Sequence, residues 1–441
     1  MGRKHLSRRT FLMGAALAVS GCSTTSKTIV ATKPKVPAAP RPLSANEKLN
    51  IAGIGIGGQG HEDMKNCEEH NVVALCDVDS AYAGRTLRRF PNAKQYKDFR
   101  VMLEKQKDID AVVIATPDHI HAVAAMTAIQ LGKHVYCEKP LTHSIDEARK
   151  LAAAARDAKI ATQMGNSGQA KEEVRVTCEY VWSGAIGPVR EVHVWSDRPI
   201  WPQGIRRPSE TQPVPETLDW DLWLGPAPER PFNRAYHPFK WRGWWDFGTG
   251  ALGDMGCHAF HPIFRVLKLG HPLSVEACSS DKKNVSLETF PLASIVRYQF
   301  PAREDMPPLA LTWYDGGLRP ARPPELEAER SLEEGGTMYV GDKGKMLGHI
   351  PIPEVRRKEL GTPPKTLPRS PGHFQEWFQA CKGGEPAGAD FDIASLVTQT
   401  VLLGNVALRT GKQLLWDGNQ VTNVPDANQY LSREYRAGWR L

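Results

Sequence analysis

The sequence predicts an α/β domain on a doubly wound parallel sheet, followed by an α+β domain with an open, mostly antiparallel sheet. Three observations carry this prediction. A glycine-rich turn follows directly on the first apolar strand, and short apolar runs then alternate with helix-compatible stretches as far as residue 166. Beyond that point the alternation gives way to one helix and a run of strands. A length of 441 residues suits two domains, each able to bury a core of its own. Hydrophobic residues at 41% and charged residues at 24% are ordinary for a globular chain, which excludes fibrous and disordered classes.

Two segments precede the first domain. Residues 1–22 run from a basic start through Ser7-Arg8-Arg9-Thr10-Phe11-Leu12 into an uncharged stretch ending at Gly21, then Cys22. This reads as a signal peptide, its apolar run being well short of the roughly 20 residues a spanning helix needs. The twin arginine resembles the signal that directs folded proteins to the twin-arginine export machinery, which lets a cytoplasmic cofactor travel inside. Val19-Ser20-Gly21-Cys22 resembles a lipobox, which would make Cys22 the lipidated first mature residue; ordinary signal-peptidase cleavage nearby is the alternative. The expected location is therefore the periplasm or cell envelope, with a lipid anchor. Residues 23–48, rich in Ser, Thr, Ala, Lys and Pro, are expected to be an extended tether. Net charge is +7, but four of the basic residues lie in the signal segment. The pairs Arg88-Arg89, Arg206-Arg207 and Arg356-Arg357 are scattered, so no nucleic-acid partner is expected. The seven Cys beyond Cys22 lack CxxC spacing and sit in apolar contexts, as free buried thiols would.

The first domain is expected over 49–166. Leu49 to Ile54 is an apolar strand running into Gly55-Ile56-Gly57-Gly58-Gln59-Gly60, a GxGxxG turn in strand-to-helix context. One glycine serves the tight turn, one lets the backbone approach a pyrophosphate, and one packs helix on strand, the signature of a dinucleotide-binding Rossmann domain. Gly55, Gly57, Gly58, Gln59 and Gly60 are accordingly cofactor candidates, with a glycine-rich surface turn as the alternative. The second strand, Asn71 to Asp77, ends in a carboxylate. Asp77 would accept hydrogen bonds from the adenosine ribose and repel a 2′-phosphate, which favours NAD over NADP. Further strands are expected at 110–116, 134–138 and 160–164, with helices at 120–131 and 144–158. Ser144 and Glu147 fit a capping box on the second helix. Ligand contacts in such a sheet lie just past strand carboxyl ends. Two segments fall there, Thr116-Pro117-Asp118-His119-Ile120-His121 and Cys137-Glu138-Lys139-Pro140.

The GxGxxG strand, TPDHIHA and EKP together resemble the Gfo/Idh/MocA superfamily of sugar and inositol dehydrogenases, over residues 49 to about 415. The resemblance implies that Lys139 contacts a substrate hydroxyl near the nicotinamide and that Pro140 is cis. It also places Thr116, Pro117, His119, His121, Glu138 and Asn166 beside the cofactor. A cation next to a hydroxyl that must lose its proton stabilises the developing alkoxide, so the lysine role is chemically sound. In Gly253-Asp254-Met255-Gly256-Cys257-His258 the acid and the imidazole are four apart and share a helix face, so the carboxylate can orient a general base. The resemblance assigns His258 the acid/base role and Asp254 substrate binding or imidazole orientation. Asp254, His258 and His261 would also make a metal set, as would His119 with His121. No remote further ligand is evident, so no metal is assigned.

Residues 167–441 form the expected α+β substrate and oligomerisation domain, with strands at 189–196, 273–279, 292–300, 309–314, 337–340 and 345–349. A long insertion between Asp197 and Phe247 carries Trp201, Trp220, Trp223, Trp241, Trp244 and Trp245. One reading makes it a carbohydrate cleft, with Trp244 and Trp245 stacking on sugar rings and Arg206, Tyr236, His237 and Arg242 near hydroxyls. The other has these aromatics packing the insertion or a subunit contact. Late helices are expected at 373–381 and 393–410, the latter returning to the first domain and stopped by Gly411. The Trp-rich insertion, Gly165-Asn166-Ser167-Gly168-Gln169 and the export signal look most like exported branches of the superfamily, which include NAD-dependent glycosidases and the NADP-using glucose-fructose oxidoreductase. Those glycosidases oxidise ring carbon 3, eliminate the aglycone, add water and return the hydride. The resemblance thus implies a carbohydrate substrate and a homo-oligomer. Three activities follow: a redox-assisted glycosidase with recycled NAD, a net sugar or inositol dehydrogenase, or a non-enzymatic carbohydrate-binding protein that keeps NAD.

Overall fold

The computed structural model describes residues 38–280 and 288–441, so the signal segment with Arg8, Arg9 and Cys22 lies outside the described residues. The chain opens with strand β1 (Asn50–Ile54), helix α1 (Gln59–Lys65), β2 (Asn71–Cys76), α2 (Gly84–Arg89), β3 (Lys94–Tyr96) and α3 (Phe99–Lys105). It continues through β4 (Ala111–Ile114), α4 (Asp118–Gln130), β5 (His134–Cys137), α5 (Ile145–Ala158) and β6 (Thr162–Met164). The six strands form one parallel sheet in the order β3-β2-β1-β4-β5-β6. β4 and β5 are buried along their whole length because helices cover both faces, which leaves no solvated side to alternate toward. The chain reverses direction across the sheet at β1 and β4, and the crevice outside their carboxyl ends is where a ligand fits. α5 begins at the expected capping box of Ser144 and Glu147.

The second domain contains α6 (Glu172–Trp182), β7 (Val189–Trp195), α7 (Trp220–Leu224), α8 (Gly250–Leu267), β8 (Ser274–Ser279), β9 (Ser294–Phe300) and β10 (Leu309–Tyr314). β11 (Gly336–Gly341), β12 (Gly344–Leu347), β13 (Ile350–Ile352), α9 (Glu354–Leu360), α10 (His373–Cys381), α11 (Phe391–Thr410) and β14 (Leu414–Leu415) complete it. Its eight strands run in the order β13-β12-β11-β7-β10-β9-β8-β14, antiparallel except where β7 meets β10. α11 packs against α5 and β6 of the first domain and against α8, β8 and β9 of the second. It is long and apolar enough to cross a membrane by length and composition, yet 78% of its apolar window is buried in the protein. Gly411 closes it at φ 63°. Cys67, Cys76, Cys137, Cys178, Cys257 and Cys381 are free and buried as expected, while the free thiol of Cys278 is exposed.

Two local expectations need correction. The described end of the tether, residues 38–48, is docked rather than extended. Arg41 Nε and Nη2 each lie 2.9 Å from the carboxylate of Asp110 at the start of β4, and Leu43 packs on the first-domain core. Asp110 is buried, and its charge needs such a partner. The insertion, expected without regular structure, contains α7 and a 3-10 turn at Lys240–Gly243. It builds a small core from Leu218, Trp223, Phe232, Tyr236, Trp244 and Phe247.

Candidate active site

A cleft of about 470 Å3 opens at the carboxyl ends of β1, β2, β4 and β5 and is roofed by the insertion. On the sheet side it is lined by Gly55, Gly57, Gly58, Gln59, Asp77, Thr116, Pro117, Glu138 and Lys139, all singled out by the sequence. The glycine loop fits a dinucleotide. Gly55 has φ +74°, and a Cβ there would stand 2.7 Å from the Thr116 nitrogen. A Cβ at Gly60 would lie 1.9 Å from the Gly55 oxygen, so this glycine is what lets α1 close on the turn. Asp77 Oδ2 accepts from the Ile56 and Gly57 N–H groups at 2.8 and 3.2 Å, which ties the acid to the loop.

The chemistry-bearing side chains meet at the other end. Lys139 Nζ donates to Asp254 Oδ1 at 3.0 Å, and Arg242 Nε donates to the same oxygen at 3.1 Å. Burial alone would raise the Asp254 carboxyl, but the two cations outweigh it and hold the group at about 2. Burial likewise opposes the charge of Lys139, yet Asp254 and Glu138 keep its ammonium above the ordinary lysine value. His258 lines the same cleft and makes no hydrogen bond to any described residue. Burial, reinforced by the nearby Lys139 charge, lowers it to about 3, so the imidazole stands neutral in the cleft. Asp254 and His258 do lie one turn apart on α8, but the carboxylate is taken by Lys139 and Arg242 instead of orienting the imidazole.

Several candidates lie elsewhere. His119 and His121 on α4 are buried in the protein and do not line the cleft. His119 sets its ring nitrogens on the carbonyls of Phe247 and Trp223 at 3.2 and 2.9 Å, and His121 sets its own on Pro140 and Thr116 at 2.8 and 2.9 Å. They fasten the insertion and the Lys139-Pro140 turn, which is cis. Asn166 is buried against His261, outside the cleft, between its neighbours Gly165 and Ser167, which line it. Tyr236 and Trp244 are core residues of the insertion, the Trp244 indole donating to the Ala235 oxygen at 2.8 Å. Trp245 packs on Phe290 and donates to the Thr289 oxygen at 3.0 Å, and Arg206 is exposed away from the cleft. The packing reading of these aromatics therefore holds for Tyr236, Trp244 and Trp245, while His237 and Arg242 do reach the cleft. Among the described residues no group of three or more His, Cys, Asp or Glu could hold a metal.

Sequence reasoning missed other lining residues. Asp118, quoted with its motif but given no role, is buried at the cleft wall, accepts from the Thr249 hydroxyl at 2.7 Å and is pushed by burial up to about 7. Its place immediately past β4 was the available signal. Tyr82, Phe99 and Trp439 also line the cleft, and nothing in their local sequence marks them, whereas Trp223 and Trp241, which line it too, were already named with the Trp-rich insertion.

Comparison with known proteins follows the same division of the chain. Residues 48–166 match the NAD-binding Rossmann fold of the GFO_IDH_MocA oxidoreductase family, and residues 196–296 match that family's C-terminal alpha/beta domain. The chain belongs to the Gfo/Idh/MocA oxidoreductase family. Its first domain is the NAD-binding domain of that family. Levoglucosan dehydrogenase of Pseudarthrobacter phenanthrenivorans is 31% identical over 115 residues, 26% of this chain and 29% of that protein. Alpha-N-acetylgalactosaminidase of Shewanella oneidensis is 28% identical over 195 residues, 39% of this chain and 42% of that protein. The chain thus spans less than half the length of the curated relatives it matches. Among solved structures, the WlbA dehydrogenase of Bordetella pertussis, in complex with NADH and UDP-GlcNAcA, superposes with a TM-score of 0.59 at 15% identity. That likeness covers 84% of this chain and 99% of the other, and it shows a shared fold.

Proposed function

We propose that this protein is an exported, sugar-active enzyme that moves a hydride at a sugar ring carbon with a tightly held NAD recycled each turnover, as a redox-assisted glycosidase. The observation that carries the reading is the junction of Lys139, Arg242 and Asp254 beside an unpaired His258, in the same cleft as the glycine loop and Asp77. Bound NAD would supply reversible hydride acceptance at the ring carbon. Lys139 supplies a hydrogen-bond donor and positive charge for the ring hydroxyl as its proton leaves. Asp254 keeps that ammonium charged and aimed, and Arg242 holds the same carboxylate oxygen. His258, neutral and unpaired, is the group in reach to take a proton from the sugar and later return one to it. A binding protein would need no such base, which weighs against the non-enzymatic reading.

Net sugar dehydrogenation is the second reading, favoured by the likeness to levoglucosan dehydrogenase. A panel of aryl glycosides, incubated with the purified protein and no added cofactor, separates the two. Continued aglycone release without accumulating NADH is the expected result; NADH rising to one equivalent and stalling would replace the glycosidase with a dehydrogenase. Export and lipid anchoring at Cys22 belong to the same proposal. Cell fractionation should place the wild-type chain in the envelope, and Cys22→Ala should release it in soluble form.

A further inference from the structure

The wall of the cleft nearest Asp77 is built from an unexpected part of the chain. Residues 431–441 are stitched across the molecule by directed bonds. Arg433 Nε and the Tyr435 hydroxyl both donate to Glu147 Oε1 on α5, at 2.8 and 2.6 Å. Arg436 Nε donates to the Gly225 oxygen at 3.0 Å, and its backbone N–H to the Pro226 oxygen at 3.1 Å. So guided, the chain sets Trp439 into the cleft wall beside Asp77, Lys97 and Phe99. The indole lies tilted against the Phe99 ring, centroids 6.1 Å apart, and the Arg100 guanidinium carbon stands 4.3 Å from the indole centroid. Since the acid closing β2 marks the adenosine ribose, this wall faces the adenosine half of a bound dinucleotide.

A second closure stands next to it. His237 Nε2 lies 2.8 Å from Asp79 Oδ2, a partly buried pair that joins the insertion to the end of β2. The Asp219 N–H donates to the Val78 oxygen at 2.8 Å and the Ser80 N–H to the Thr217 oxygen at 3.1 Å, so the insertion is sewn to the same strand end. Under this seam the Tyr82 ring meets His237 edge-on at 5.8 Å and lies directly over Gly57 and Gly58.

We propose that residues 431–441 and the His237–Asp79 pair form a clasp over the adenosine half of NAD, with Trp439 as a wall of the adenine subsite. This rests on the recycled-cofactor reading above and deepens it. An enzyme that returns its hydride within each turnover gains nothing from cofactor exchange, and a wall contributed by distant segments must part before the dinucleotide leaves. Phe99 and Trp439 together supply apolar aromatic surface for a purine, and the pair supplies a directed bond that opening breaks.

The test is the exchange of bound NAD in the full-length holoprotein, without sugar, against NAD carrying a radiolabelled adenine. His237→Gln and Trp439→Ala should each speed exchange at least about tenfold, equivalent to about 1.4 kcal/mol. Trp439→Phe, which keeps a ring against Phe99, should restore most of the slow exchange. Trp439→Ala should also weaken ADP-ribose while leaving nicotinamide mononucleotide unchanged. Exchange unaltered in both His237→Gln and Trp439→Ala overturns the clasp. So does equal acceleration in Trp439→Ala and Trp439→Phe at an unchanged unfolding temperature. If Trp439→Ala fails to fold, His237→Gln and Trp439→Phe decide alone, unaltered exchange in the first being fatal. The glycoside assay answers separately. Slow exchange with NADH accumulating keeps the clasp and removes the closed cycle, whereas fast exchange without NADH does the reverse.

Discussion

Lys139 is one lysine among many, set apart by a carboxylate that two cations share. Replacing it with Ala should lower turnover by about 10^2- to 10^4-fold while NAD stays bound, read by single-turnover kinetics and extracted cofactor. Arg242→Gln removes one of the two cations on Asp254, so the carboxyl should climb from about 2. Because that group must be ionised, the acidic limb of the kcat/KM profile should move to higher pH. An unmoved limb would mean Arg242 does not act through Asp254. At this scale the sequence is legible where a residue type and a strand end coincide, as at Gly55, Asp77 and Lys139. It misleads at His119 and His121. Two histidines just past a strand look like ligands, but which side of α4 faces the cleft depends on how the helix docks, and their four ring nitrogens meet backbone carbonyls. Asp118, the first residue of the same helix, faces the cleft instead.

Among elements, β1, β4, β5 and α5 were readable because a short all-apolar run fits a buried strand and a capping box fits a helix start. The stretch from Val78 to Asp108 was not. Its pieces α2, β3 and α3 are only three to seven residues long, too short to show a period, and they form because the sheet is there to pack on. The insertion was legible as an insertion but not as a small core. Trp244→Ala should destabilise the protein by about 3–5 kcal/mol in urea unfolding, as a fully buried indole does. A loss below about 1 kcal/mol would place that ring outside any core. α6 offers a pH test. Glu179 accepts from Arg369 and from the Thr366 and Leu367 N–H groups, which together hold it at about 2. A depressed carboxyl adds stability above its unfolded value near 4.5 and loses it as pH falls toward 2. Glu179→Gln should therefore cost about 2 kcal/mol at pH 7, and the gap to wild type should shrink between about pH 4.5 and 2.

For the whole molecule, the two sheets meet along α11, and the cleft borrows side chains from both domains and from residues 431–441. No property of any single segment foretells that meeting; it arises when separately legible pieces pack. Because the described cysteines are all free, stability should come from this packing alone. A reducing agent should leave the unfolding temperature within about 1 °C, since losing a native disulfide would cost about 2–5 kcal/mol and shift it visibly. α11 has one more consequence. In the finished protein it is the rod around which two domains close, but in an unfolded chain it is a bare hydrophobic stretch of membrane-spanning length. A secretion channel that threads extended polypeptide would meet that stretch as an invitation to release it sideways into lipid. Under the proposed export, passage across a bilayer would suit this chain only after α11 has found its partners, so folding itself would serve as the permit to travel.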